Sequence, residues 1–150
     1  MKVAVYNCIE SEEVNNMQVA QLTELVERKS EWEFSASKDV FCDVGGSELE
    51  IESRPALNEL ISRAKQGEYE IIVANTIYDV DRNVTELLSL IRELAKYEVR
   101  FWFEEHQLMA SHARDVLQYL HECDVAERAK TGRGIVNGKD VYSFGVILYN

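Results

Sequence analysis

The sequence predicts an α/β fold in which a mostly parallel open sheet carries helices on both faces. Short apolar runs alternate along the chain with segments whose apolar residues recur at helical spacing. Residues 70–74 ("EIIVA") are almost continuously apolar, as is usual for a central parallel strand covered on both faces. The chain has 150 residues and is 46% apolar, which is enough for one domain with a substantial core.

The first strand and helix lie near the start of the chain. Residues 3–6 ("VAVY") form the first apolar run, and a helix is predicted over residues 12–30. Ser11 is expected to be its N-cap, with acidic residues in the first turn. The apolar residues at i, i+3 and i+7 of this helix are Val19, Leu22 and Val26.

A second strand and helix follow. The strand is predicted around residues 40–42, and the polar, glycine-bearing segment 43–53 is predicted to be a loop. Ser53 is expected to cap a helix that has Pro55 in its first turn. Gly67 is expected to end this helix.

The second half of the chain continues the alternation. Residues 70–74 are the third strand, a helix is predicted after Asn83, and residues 99–103 ("VRFWF") are the fourth strand. A long helix is predicted over residues 111–130. Its apolar stripe consists of Ala113, Val116, Leu117 and Leu120. The last twenty residues contain four glycines and end in a strand-like run with no helix after it.

The composition limits the classes of function. A net charge of −11 argues against a stand-alone DNA-binding protein, although residues 128–133 ("RAKTGR") form a local basic segment. No apolar run approaches the roughly 20 residues that span a bilayer, and no signal peptide is evident, so a cytoplasmic protein without membrane attachment is expected. The three cysteines do not have zinc-ligand spacing and are expected to stay reduced: Cys8, Cys42 and Cys123.

Four motifs occur in a fixed order. They are residues 6–11 ("YNCIES"), residues 43–48 ("DVGGSE"), the pair Arg54-Pro55, and residues 78–83 ("YDVDRN"). In this order and spacing, residues 1–130 resemble the N-terminal catalytic domain of the serine site-specific recombinases, the resolvase/invertase family. The resemblance implies a three-layer αβα domain with a mostly parallel sheet and a long C-terminal helix. Residues 131–150 then match the start of the family's linker, without a helix-turn-helix domain.

The resemblance also assigns site positions, and several are altered. In the family, a serine at the position of Glu10 attacks the DNA phosphodiester, and surrounding arginines hold the phosphate oxygens. Here Cys8 and Asp79 stand at two of the arginine positions. The family positions that keep their residue types include the two phosphate-binding candidates and two loop residues: Arg54, Arg82, Asp43 and Ser47.

These changes favour a site that no longer cleaves DNA. Loss of one positively charged or hydrogen-bonding donor from such a site typically slows the reaction by about a hundred- to a thousandfold. An aspartate in place of an arginine adds repulsion. If a nucleophile survives, Ser11 is the candidate, through a one-residue slip. The Cys8 thiolate is the other possibility, although nearby carboxylates are expected to raise the pKa of this thiol.

Two further roles of the polar residues remain open. Four carboxylates are weak candidates for a divalent cation site, since carboxylate oxygens suit Mg²⁺: Glu10, Asp43, Asp79 and Asp81. The same aspartates are alternatively ion-pair partners of Arg82 or Arg54. No cofactor is expected.

The leading functional hypothesis is a catalytically inactive resolvase-like domain that serves as an interaction or regulatory protein. It is expected to form a homodimer, or a heterodimer with an active recombinase encoded beside it on a mobile element, through the helix at residues 111–130. DNA binding is implied by the resemblance alone. One alternative is an active recombinase or a metal-dependent nuclease. A second is an unrelated flavodoxin-like regulatory domain, whose sheet would lack an antiparallel edge strand.

Overall fold

The computed structural model describes residues 1–9, 16–45 and 50–131. The strands are β1 (Val3–Ile9), β2 (Val40–Val44), β3 (Ile71–Ala74), β4 (Arg100–Phe103) and β5 (Leu108–Ala110). The helices are α1 (Asn16–Glu27), α2 (Pro55–Lys65), α3 (Ile77–Val80), α4 (Val84–Ala95) and α5 (Ala113–Thr131), and a 3₁₀ turn spans Ile51–Ser53. The chain divides into two compact units after His112, and helix α5 is the described part of the second unit.

The first unit contains one five-stranded sheet in the order β2-β1-β3-β4-β5. The first four strands of this order are parallel, and β5 pairs antiparallel with β4. After β1 the chain adds β2 on one side and then crosses to add β3 on the other. The strand order therefore reverses at β1, and the carboxyl ends of β1, β2 and β3 meet at one edge of the sheet.

The two faces of the sheet follow from the alternation of side chains along β1. Val3 and Val5 point to one face, where they pack with residues of α1 and β3 in a buried cluster. Tyr6 points to the opposite face, where its hydroxyl donates a hydrogen bond to Asp43, the residue that also accepts from the first turn of α2. Helices therefore cover both faces, as a three-layer domain requires.

Most predicted elements are confirmed. Helix α2 starts at Pro55 and ends before Gly67. Gly67 has a φ of +88°, a conformation that glycine adopts without strain. Two details were wrong. Ser53 ends the 3₁₀ turn and does not cap α2, because Arg54 is the N-cap residue. The strand predicted around residues 40–42 extends to Val44, so the segment 43–53 is not entirely loop.

Three short elements were not predicted: the 3₁₀ turn, α3 and β5. Each has only three or four residues, which is too few to show a helical or strand period. The antiparallel strand β5 contradicts the flavodoxin-like alternative, which required a sheet without an antiparallel edge. The beginning of the predicted helix at 12–15 and the strand-like end of the chain lie outside the described residues. Within the described part, no helix is long and apolar enough to cross a membrane.

Candidate functional site

The carboxyl edge of the sheet brings together five of the residues that the sequence singled out. They come from β1, β2, the start of α2 and the segment around α3: Cys8, Asp43, Arg54, Asp79 and Asp81. Cys8 and Asp43 are register partners on adjacent parallel strands. Glu10, Ser11 and Ser47 lie outside the described residues.

Asp43 joins three elements through its carboxylate. One oxygen accepts a hydrogen bond from the Ala56 backbone N–H at 2.9 Å. The other accepts from the Leu57 N–H and from the Tyr6 hydroxyl, both at 2.9 Å. Two of the otherwise unpaired N–H groups in the first turn of α2 are thus satisfied by a residue of β2. The Asp43 carboxylate therefore fixes the start of α2.

Arg54, the N-cap residue of α2, has a completely buried side chain. Its Nη2 lies 3.7 Å from Asp81 Oδ2, and its Nη1 donates a 3.5 Å hydrogen bond to the Asp79 carbonyl oxygen. Nε and Nη2 have no hydrogen-bond partner among the described residues. The arginine that the resemblance assigns to phosphate binding thus faces a nearly buried carboxylate of its own chain.

Cys8 lies beside this arginine with its side chain half-buried. Burial raises the pKa of the Cys8 thiol, while the Tyr6 hydroxyl and the positive charge of Arg54 act in the opposite direction. The net direction is upward, so the neutral thiol is favoured. A thiol held in this form is a weak nucleophile.

Asp79 caps the short helix α3. Its carboxylate accepts a hydrogen bond from the Thr76 N–H at 3.0 Å, and the Thr76 hydroxyl accepts one from the Asp79 N–H at 3.2 Å. Burial raises the pKa of the Asp79 carboxyl, and the bonds from Thr76 oppose this shift. The nearby Glu105 adds to the rise, while Arg82 opposes it. Asp79 therefore has a structural role in capping α3.

Asp81 and Arg82 differ sharply in exposure. Asp81 is 5% exposed, and its other oxygen accepts a 2.8 Å hydrogen bond from the Asn83 N–H, next to the start of α4. Arg82 is exposed and acts on Asp79 through its charge. Of the two phosphate-binding candidates, Arg54 is thus buried and Arg82 is exposed to solvent.

The suggested cation site is not formed by the described residues. Among them, no three histidine, cysteine, aspartate or glutamate side chains gather in a way that would hold a metal ion. Asp43 and Asp79 are both occupied as helix caps. Glu10, the fourth suggested ligand, lies outside the described part.

Three residues of this edge were given no site role from the sequence, although Tyr6 begins the first motif. Tyr6 and Thr76 hold Asp43 and Asp79, and His106 Nε2 accepts a 3.3 Å hydrogen bond from the Ile77 N–H at the start of α3. The spacing of Thr76 and Asp79 is that of a capping box, so this pair could have been found from the sequence. The contacts of Tyr6 and His106 span 37 and 29 residues, and no local pattern indicates them.

The family model described as "Resolvase, N terminal domain" matches residues 10–142 of the chain. A crystal structure of the N-terminal catalytic domain of TP901-1 integrase is similar at 22% identity with a TM-score of 0.65, covering 89% of this chain and 99% of that one. A resolvase family site-specific recombinase from Streptococcus pneumoniae is similar at 19% identity with a TM-score of 0.62, covering 95% and 97%.

The catalytic domain of ISC1926 TnpA, an IS607-like serine recombinase, is similar at 9% identity with a TM-score of 0.57, covering 99% of this chain and 94% of that one. The search of the curated proteins found no match. At these identities the solved structures establish the fold. The family model covers most of the chain, and the protein therefore belongs to the resolvase N-terminal domain family.

Proposed function

We propose that this resolvase-family domain does not cleave DNA and acts as an interaction or regulatory protein in recombination. The observation that carries the proposal is the pairing of Arg54 with Asp81. A phosphate that approached the Arg54 guanidinium would compete with a carboxylate 3.7 Å away, in a place where both side chains are almost entirely buried. Charges interact strongly where water is largely excluded, so this competition is unfavourable for the phosphate.

The remaining charges at this edge support the same proposal. Cys8 and Asp79 contribute no positive charge at positions where the resemblance implies arginines. Asp81 lies beside the buried Arg54 guanidinium, whereas the Asp43 and Asp79 carboxylates are engaged at the starts of α2 and α3. Stabilisation of a pentacovalent phosphate depends on positive groups arranged in advance, and loss of one such group typically costs about 2.7–4 kcal/mol.

The residue at the nucleophile position also supports the absence of cleavage. Glutamate is present at position 10, where the resemblance implies the attacking serine. Cys8, the nearest alternative described, has a thiol whose pKa is raised by burial. A site without an activated nucleophile, and with two of the implied arginine positions replaced, would not form a covalent DNA intermediate, so association with other chains is the role that we propose.

A plasmid assay tests the absence of catalysis. Purified protein is incubated with supercoiled plasmid, with and without Mg²⁺, and nicking and covalent protein–DNA adducts are measured. We expect neither product, and we expect Ser11→Ala and Cys8→Ala to behave like the wild type. An adduct formed by the wild type and abolished by either substitution would reject the proposal.

An active recombinase is the second candidate function. The observation that favours it is the unsatisfied Nε–H of Arg54. This buried N–H has no hydrogen-bond partner among the described residues, which is unusual unless a ligand supplies one. This candidate predicts an adduct that Ser11→Ala removes. It also predicts that Arg54→Lys weakens the reaction, because a lysine cannot reproduce the two-pronged contact of a guanidinium.

Association through α5 is the interaction part of the proposal. Leu117 and Leu120 lie on the apolar stripe of this helix, and Gln118 is an exposed position between them. Sedimentation velocity is expected to show a dimer that Leu117→Glu/Leu120→Glu dissociates and that Gln118→Glu leaves intact. A monomeric wild type, tested both alone and with an active resolvase-family recombinase, would contradict this part.

A further inference from the structure

A cavity of about 530 Å³ lies at the amino edge of the sheet. Its lining includes Lys2, just before β1, Asp39, just before β2, and Tyr69, two residues before β3. Parallel strands begin at one edge and end at the other, so this cavity lies opposite the edge that carries Cys8 and Arg54. Its volume is within the range of small-molecule sites. We call it the amino-edge pocket.

One wall of the amino-edge pocket is held by a buried carboxylate. Asp39 is 7% exposed and accepts hydrogen bonds from the Tyr69 hydroxyl and the Ser35 N–H, both at 2.8 Å. The Tyr69 ring meets the Phe41 ring edge-on, with the ring centroids 5.9 Å apart. These contacts fix the segment at 35–39 against the beginning of β3, so this wall is formed before any ligand arrives.

A second wall is formed by Arg63 near the end of α2. Its guanidinium lies over the Phe41 ring at 5.6 Å from the centroid, and it pairs with Glu59 at 2.9 Å and with Glu68 at 3.9 Å. It also interacts with the Tyr69 hydroxyl. An arginine held from several sides loses little further freedom when a ligand binds.

Two lysines of the lining have no acidic partner among the described residues. The lining contains three cations and three acids, namely Lys2, Lys38, Arg63, Glu33, Asp39 and Glu68. Asp39 accepts its hydrogen bonds from neutral donors, the Tyr69 hydroxyl and the Ser35 N–H, which do not cancel its formal charge. Arg63 pairs with Glu68 and with Glu59. Across the part of the chain that is described, Lys2 and Lys38 have no ion-pair partner within 4 Å. The formal charges of the lining therefore cancel, and the ammonium groups of Lys2 and Lys38 are the cations of this lining that are available to an anion.

We propose that the amino-edge pocket binds a small organic anion. The carboxylate or phosphate monoester of this ligand contacts Lys2 and Lys38, and its flat apolar body packs on Phe34. The half-buried ring of Phe34 is the apolar surface that the lining offers beside the two lysines. The ordered wall of Arg63, Tyr69 and Asp39 forms the opposite side of the site.

Phenyl phosphate is the probe for this proposal, followed by amide chemical shifts of the full chain. We expect saturable shifts at Ser35, Lys38 and Tyr69. Inorganic phosphate tests the charge alone, phenol tests the ring alone, and both are expected to bind more weakly. Benzoate distinguishes a carboxylate ligand from a phosphate ligand.

Matched variants locate the binding. Lys2 and Lys38 are exposed, so Lys2→Gln/Lys38→Gln is expected to fold normally and to bind phenyl phosphate about tenfold more weakly. The control is Lys96→Gln, at an exposed lysine that is not among the pocket residues, and its affinity is expected to equal that of the wild type.

Shifts that grow linearly without saturation would overturn the proposal. So would unchanged affinity in the double lysine variant, or saturable shifts confined to residues around Arg54 and Asp81. Binding at the amino edge is read from residues remote from Arg54, so its failure leaves the plasmid assay and the proposed function untouched.

Discussion

The Tyr6 hydroxyl donates a 2.9 Å hydrogen bond to Asp43, and this carboxylate also accepts both N–H bonds that begin helix α2. The side chain of one strand thereby supports a carboxylate on the next strand, which supports the helix that carries Arg54. The position of this arginine therefore depends on two residues that need not contact any substrate.

Replacement of Asp43 tests this dependence. Asp43→Ala leaves two backbone N–H groups and a buried hydroxyl without their acceptor, and we expect the free energy of unfolding to fall by about 3 kcal/mol. Tyr6→Phe removes only one donor and is expected to lower it by about 1 kcal/mol. Urea unfolding measures both. The effects should not add in the double variant, because the Tyr6 bond is already absent without Asp43; full additivity would refute the coupling.

Asp81→Asn tests whether Asp81 blocks an anion from Arg54. The substitution leaves the buried guanidinium without its carboxylate, so we expect a loss of about 3 kcal/mol of stability. Phosphate should restore part of this loss, by about 1.4 kcal/mol at ten times its dissociation constant. Thermal unfolding in phosphate, compared with sodium chloride at equal ionic strength, measures the effect.

The controls for this test are the wild type and Arg54→Met/Asp81→Asn. Neither is expected to gain the specific phosphate stabilisation, since the first keeps its carboxylate and the second has no guanidinium. An equal gain in the wild type would show that Asp81 does not compete with anions at Arg54.

Asp79 predicts a particular pH dependence of stability. Burial raises the pKa of this carboxyl in the folded chain, so between the unfolded and folded pKa values the folded state binds more protons. The contribution of Asp79 to stability therefore falls as pH rises through the folded pKa and is constant above it. Asp79→Asn cannot ionise, and its stability relative to the wild type should rise over the same pH interval. Urea unfolding at a series of pH values from acid to neutral measures this difference; a constant difference would contradict it.

The cysteines are expected to differ in reactivity. Cys42 and Cys123 are exposed, whereas Cys8 is half-buried with a pKa raised by burial. A disulfide reagent at neutral pH should therefore modify Cys8 about tenfold more slowly than either of the others. Variants that retain one cysteine each allow the rates to be compared, and unfolding in urea should remove the difference. A fast reaction of Cys8 in the folded protein would contradict this prediction and would support Cys8 as a nucleophile.

The long helices and strands could be predicted from the sequence, because their apolar residues recur at clear helical or strand spacing. The run ending at Ala74 and the helix that begins after Asn83 lie where the apolar pattern predicts them. Helix α3 and strand β5 were not predicted, because a segment of three or four residues is too short to show a repeating apolar pattern. The turn before β5 also uses Gln107 with a φ of +49°, a conformation that its residue type does not indicate.

The gathering of several motif residues at one edge of the sheet was predictable from the sequence, but their contacts were not. The order of the motifs predicted that Cys8, Asp43 and Arg54 lie at one edge of the sheet, and the structure places them there. The partner of Arg54 was left open between Asp79 and Asp81, because both lie in the same short segment and only its folded geometry separates them. Asp79 turns inward to cap α3, which leaves Asp81 to pair with the arginine.

The Asp43 carboxylate has a consequence for the order of folding. Its partners lie 37 residues earlier in the chain and 13 and 14 residues later, so all of them must be brought together before the first turn of α2 gains its hydrogen-bond acceptors. Contacts between distant parts of a chain form slowly, because closing the intervening loops costs conformational entropy. The first turn of α2, and with it the burial of Arg54, is therefore expected to become ordered only after the two neighbouring strands have paired.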